Sequence, residues 1–166
     1  MFRKTSKTKF RMNATLAATA LLLQAAAQAE PAQGHDKSLV ARGRYLVQIA
    51  GCNDCHTPGY MQAAGKVDEK LWLTGETLGW RGPWGTSYAT NLRLFASNLS
   101  QAQWLQHVGT MRPRPPMPYF NMQAMSETDR KAIYAYLKAM GPAGQPAPAW
   151  VPPGKEPPPP YALFPG

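Results

Sequence analysis

Cys52-Asn53-Asp54-Cys55-His56 places two thiols three positions apart and an imidazole directly after the second. This is the spacing at which a c-type haem is attached, with both sulfurs bonded to the porphyrin and the histidine ligating its iron. The chemistry needs that compactness. One tight turn of chain brings both sulfurs to the two porphyrin vinyl groups, and the next side chain is then aimed at the metal as a neutral imidazole. No other stretch of the 166 residues offers a comparable covalent site.

Other uses of two cysteines fit less well. A Cys52 to Cys55 disulfide in a haem-free binding module is the plain alternative for an exported chain. A thioredoxin-like pair requires a βαβ setting, which the surrounding sequence does not supply. Zinc would require two further ligands at short spacing, and His35 and His107 do not provide them.

The first 29 residues read as a secretory signal. Arg3, Lys4, Lys7, Lys9 and Arg11 precede an apolar run from Ala14 to Ala27, and Ala27-Gln28-Ala29 is a small-x-small cleavage site. The run is short for a bilayer core, which takes about 20 residues. Cleavage after Ala29 and a periplasmic location are expected, with no membrane span once the signal is removed. Five of the 18 Lys and Arg residues leave with the signal while all nine Asp and Glu stay, so the net charge falls from +9 to +4. That balance gives no support to a nucleic-acid partner.

Outward from the motif, Leu39, Val40, Leu46, Val47 and Ile49 recur at helical spacing from Asp36 to Ala50, with Gly43 on the same broad face. Glycine inside a helix costs on the order of 1 kcal/mol against alanine, so Gly43 fits either a close helix crossing or an ordinary helical glycine. Beyond His56, Thr57-Pro58-Gly59 breaks the chain. Residues 60–94 show no sustained period and read as irregular, with a short helix near Lys66 to Leu71.

Ser100 to Gln103 has the form of a capping box. A second helix of about ten residues follows, carrying Trp104, Leu105 and Val108, and Gly109 is placed to end it. Met111 to Phe120, with prolines at 113, 115, 116 and 118, is a stiff extended connection. Ser126 caps a third helix running to about Met140, with Ile133, Tyr136, Leu137 and Met140 inward and Gly141-Pro142 as its stop. The last 25 residues hold ten prolines and favour polyproline II, as a loose tail or as an arm for a partner anchored by Trp150, Tyr161 and Phe164.

One imidazole leaves the opposite face of the iron open, and its occupant separates electron carrier from catalyst or gas sensor. Met117 is the proposed second ligand. It lies 61 residues after His56, between Pro116 and Pro118, whose rings stiffen the backbone around a weak thioether ligand. Met111, Met122 and Met125 compete with it by position, and His107 would give a bis-histidine site.

These residues together resemble the class I c-type cytochromes, particularly bacterial monohaem domains similar to those accompanying periplasmic dehydrogenases. The matching pieces are Gly43-Arg-Tyr-Leu46 before the haem motif, Tyr88-Ala-Thr-Asn91-Leu92, Pro116-Met117-Pro118-Tyr119, and the stretch from Ser126 to Leu137. They cover roughly residues 38 to 141. The resemblance implies an all-α cytochrome c-like fold, three main helices and long loops around one covalent haem c, in a domain over residues 30–141 followed by a tail over 142–166. It implies His56 and Met117 as axial ligands and a crossing of first and last helices, with Gly43 facing Tyr136 and Leu137. It also implies propionate contacts from Tyr88, Asn91, Arg93 and one tryptophan, Trp84 or Trp80. Leu92-Arg93-Leu94 departs from the Thr-Pro turn of many relatives, which bears on those contacts.

The expectation is an electron carrier of the periplasm, not an enzyme, with a transient redox donor and acceptor such as a periplasmic dehydrogenase or a terminal oxidase. Two rivals stand beside it. One is a five-coordinate haem protein with a peroxidase or gas-sensing role; the other is an electron-accepting subunit that stays docked to a dehydrogenase.

Overall fold

The first helix, α1 (Lys37–Ile49), starts where Asp36 accepts hydrogen bonds from the backbone N–H groups of Ser38 and Leu39. It buries Gly43, Leu46 and Val47. The structure, a computed structural model, describes residues 36–164. The signal read over residues 1–29, its cleavage after Ala29 and His35 lie outside them. Among the described residues, no helix is long and apolar enough to cross a membrane.

Five more helices follow: α2 (Cys52–His56), α3 (Leu92–Ser97), α4 (Gln101–Thr110), α5 (Tyr119–Ala124) and α6 (Glu127–Met140). The all-α expectation holds with one addition, a sheet of three short strands. These are β1 (Gly79–Gly82), β2 (Gly85–Tyr88) and β3 (Tyr161–Leu163), ordered β2-β1-β3, with β1 antiparallel to β2 and parallel to β3.

Helices α1 and α6 cross at Gly43. A Cβ there would lie 2.0 Å from the carbonyl oxygen of Ala132 and 2.8 Å from Cβ of Tyr136, so the crossing admits only glycine without movement. The close approach is to Ala132 and Tyr136, one turn nearer the start of α6 than the Tyr136 and Leu137 pair expected. Ala132 is the small residue that lets the two backbones meet. Helix α4 has the capping box read from its sequence, with Gln103 N–H donating to Ser100 Oγ at 3.3 Å and Ser100 N–H to Gln103 Oε1 at 2.9 Å. It runs past Gly109 to Thr110, because Pro113 disfavours helical backbone only further on.

Residues 60–94 are more regular than their composition indicates. A short 3-10 helix spans Glu69–Leu71 and the β1–β2 hairpin follows it. Then α3 begins at Asn91, whose side chain accepts from Leu94 N–H.

The proline-rich segment after Gly141 is packed, where a loose tail was expected. Val151 and Thr86 exchange both backbone hydrogen bonds, at 2.8 and 3.1 Å. Proline has no N–H, yet its carbonyl still accepts: Gly79 N–H donates to Pro160 O at 3.0 Å. Asn91 Nδ2 donates to the carbonyls of Ala143 and Gln145 at 2.8 and 3.1 Å, and Arg81 pairs with Glu156. Trp150, Tyr161 and Phe164 thus rest on the chain's own sheet and its surroundings.

Candidate functional site

Helix α2 is the pivot of the site. Gly51 enters it with φ +69°, the left-handed backbone that glycine takes without strain, and this turns the chain sharply out of α1. The helix is five residues long and ends at Thr57, in extended backbone before Pro58. Cys52, Cys55 and His56 thereby face one cavity of about 800 Å³. Its wall is mostly apolar, built from Val47, Leu73, Leu92, Phe95, Trp104 and Val108 among others.

Cys52 and Cys55 are not bonded to each other. Burial pushes the Cys52 thiol up to about 11 and raises that of Cys55 as well, with Asp54 adding to both shifts. His56 is buried. Its Nδ1 lies 2.7 Å from the backbone carbonyl oxygen of Thr90, which can only accept, so the proton sits on Nδ1 and the lone pair on Nε2. Desolvation lowers its pKa, with the Thr90 contact opposing, and the ring is held as the neutral imidazole a metal requires. Below it, Thr57 Oγ1 donates to Asn53 Oδ1 at 2.7 Å and accepts from Leu73 N–H at 2.8 Å, stitching α2 to the following loop.

Met117 lines the same cavity as His56. The Pro116–Pro118 surround turns the chain there, with Tyr119 N–H donating to Met117 O at 2.9 Å and Pro118 opening α5. Met111, Met122, Met125 and His107 also reach the cavity wall. His107 is exposed, its ring 4.8 Å from that of Phe95.

The residues expected at the propionates divide. Tyr88 lines the cavity, and its hydroxyl is buried without a hydrogen-bond partner among the described residues. Trp80 and Ser87 also line the cavity, and their Nε1 and Oγ are likewise buried without a partner among the described residues. Buried donors left unpaired are costly, and these three belong to residues of one wall.

Asn91 and Arg93 do not line the cavity. Asn91 is used at both ends, capping α3 and holding residues 143 and 145. The Arg93 guanidinium donates to the carbonyls of Gly141, Lys70 and Met140 at 2.7, 2.7 and 2.6 Å, fastening the end of α6. Desolvation lowers its pKa. Trp84 is off the cavity wall, and its carbonyl accepts from Trp150 Nε1 at 3.0 Å. Sequence reasoning missed Ser87 and the Thr90 carbonyl. The first has no motif around it, and the second is a backbone atom that any residue would supply.

Paired thiols, a neutral imidazole with a fixed tautomer, thioethers, apolar walls and three orphaned donors form a set that fits haem c. Comparison with known proteins agrees with this chemistry. The family model described as Cytochrome c matches residues 40–141. The cytochrome c subunits of alcohol dehydrogenase (quinone) from Gluconacetobacter polyoxogenes and Komagataeibacter europaeus are each 28% identical over 149 residues, covering 82% of this chain and 29% of theirs. The chain therefore spans under a third of the length of these curated relatives. No solved structure matches it.

Proposed function

Since the chain belongs to the cytochrome c family, which binds haem c covalently and transfers electrons, we propose that it is a periplasmic carrier with His56 and Met117 as the two axial ligands. The observation that carries this reading is that Cys52, Cys55, His56 and Met117 line one cavity and that, of the four methionines on its wall, Met117 is the one held between two prolines. Haem c bound there supplies a one-electron couple between ferric and ferrous iron.

The chain's own residues do the rest. Cys52 and Cys55 hold the porphyrin edge, and the Thr90 carbonyl orients His56. Met117 would hold the iron as its second protein ligand and would then leave no place for a substrate, which favours a carrier over a peroxidase or gas sensor. Apolar walls exclude water and, with a thioether ligand, favour the ferrous state. Trp80, Ser87 and Tyr88 are assigned to receive the propionates, in place of Asn91, Arg93 and Trp84.

The relatives are named as cytochrome c subunits of a quinone alcohol dehydrogenase. This supports a dehydrogenase as electron donor, met transiently or as a docked subunit. The haem edge near Cys52 and Cys55 is the proposed meeting surface, of the small area typical of redox encounters.

An optical redox titration of the exported protein tests the reading. Ferric wild type should show a far-red thioether-to-iron band that disappears in Met117→Ala, and the potential should fall with it. A high-spin ferric spectrum in wild type would falsify the six-coordinate carrier. Intact mass checks attachment separately, since covalent haem adds its mass and leaves no free thiol.

A further inference from the structure

We propose that Trp150 and Arg114 form a clamp that holds the Met117 loop closed over the cavity, making both of them positioning residues for the thioether ligand. The inference rests on the reading of Met117 as ligand. It gives the proline-rich segment a part in that site.

The loop needs such a tie. Prolines at 113, 115, 116 and 118 strip it of N–H donors. Among the described residues, its backbone from 112 to 116 makes no hydrogen bond to other backbone. Its position is left to side chains. Arg114 makes no ion pair among the described residues, and its guanidinium carbon instead lies 4.0 Å from the centroid of the Trp150 ring. A guanidinium over an indole face is an attractive pairing, strongest for tryptophan.

Trp150 is itself anchored. Its Nε1 donates to Trp84 O at 3.0 Å, and the next residue, Val151, is paired with Thr86 on β2. Gly85 keeps the approach open: it has φ +91°, and a Cβ there would lie 2.2 Å from Val151 O. Force on the Met117 loop therefore passes through Arg114 and Trp150 into the sheet. Trp150, Arg114 and Met117 all line the cavity, so the clamp closes the same space that the ligand enters. A loose arm reserved for a partner would have no reason to place its indole there.

The experiment uses exported holoprotein and titrates the ferric form with imidazole, following loss of the far-red thioether band. Imidazole competes with Met117, so its apparent affinity reports how firmly the loop is held. Trp150→Ala and Arg114→Gln should each raise that affinity on the order of three- to fivefold. The two together should do no more than either alone, because they break one contact. Trp150→Phe, which keeps a ring beneath the guanidinium, should fall between wild type and Trp150→Ala. Arg114 is exposed, so its substitution reports even if Trp150→Ala fails to fold.

Wild-type affinity in Arg114→Gln, or fully additive effects, would overturn the clamp while leaving Met117 as ligand. Absence of the band from wild type would instead overturn the ligand reading, and the clamp with it.

Discussion

Nδ1 of His56 lies 2.7 Å from the carbonyl oxygen of Thr90, a residue 34 positions later in the chain. The contact ties the haem-binding helix to the strand-to-helix link between β2 and α3. It fixes the tautomer and makes the imidazole a stronger donor to a metal. Gly75 supports that link: it has φ +86°, and a Cβ there would meet Asn91 N at 2.9 Å and Ala89 O at 3.1 Å. Gly75→Ala should push residues 89–91 away, weaken the His56 bond and raise the reduction potential, because a poorer donor stabilises ferric iron less. Redox titration checks this. An unchanged potential in a destabilised variant would assign Thr90 to packing alone.

The crossing of α1 and α6 predicts a stability effect with little redox consequence. Gly43→Ala gains helix propensity worth on the order of 1 kcal/mol. It also forces a methyl group to within 2.0 Å of the Ala132 carbonyl. Overpacking of this kind typically costs about 1–3 kcal/mol, occasionally more, and the shift of a backbone atom puts this case at the upper end. Denaturant unfolding of holoprotein should show a net loss; equal or greater stability would mean the helices separate freely.

Tyr88 and Arg93 were both expected at the propionates, and they are separable. Tyr88 lines the cavity and its hydroxyl is buried and unpaired among the described residues, whereas Arg93 fastens three carbonyls away from the cavity. Tyr88→Phe should alter the pH dependence of the potential and cost the holoprotein about 1.5–3 kcal/mol, as for a hydrogen bond to a charged group. Arg93→Gln should cost a similar amount or more while leaving that pH dependence in place. Potentials measured from pH 5 to 9 distinguish them, and the opposite pattern would reverse the assignment.

A pH dependence of stability follows from Glu69 and Tyr136. Arg44 beside Glu69 lowers the carboxyl below its ordinary value, and Tyr136 adds a hydrogen bond at 2.8 Å. A depressed acid stabilises the fold above its unfolded pKa, and that contribution is lost as pH falls through the folded value. Glu69→Gln should therefore flatten the acid limb of a stability profile below about pH 4.3. The effect should stay under about 1 kcal/mol, because the pair is partly exposed. Tyr136 has the opposite sign. Burial, and then the Glu69 carboxylate, raise its phenol above the ordinary 10.0, so its contribution is full below that pH and lost above it. Tyr136→Phe should extend stability to more alkaline pH, and an unchanged alkaline limb would exclude the phenol as its cause.

By itself the sequence determined the haem motif, the three long helices, and the Ser100 and Ser126 caps of two of them. Each is local: a covalent spacing, a 3.6-residue period or a capping side chain shows within a window of a few turns. The hairpin, α3 and α5 were not legible, because elements of four to six residues carry no period, and glycines at 79, 82 and 85 read as loop.

Only the tertiary structure decided which polar residues face the cavity. Asn91, Arg93 and Tyr88 look alike in sequence, yet two are occupied by distant carbonyls and one is left unpaired. The same holds for the proline-rich segment. Its composition excludes helix and central strand but not a role as acceptor, and that role appears only once Gly79, Asn91 and Thr86 are brought beside it to donate. Donors and acceptors far apart in the chain find each other through the fold, and no local pattern records the pairing.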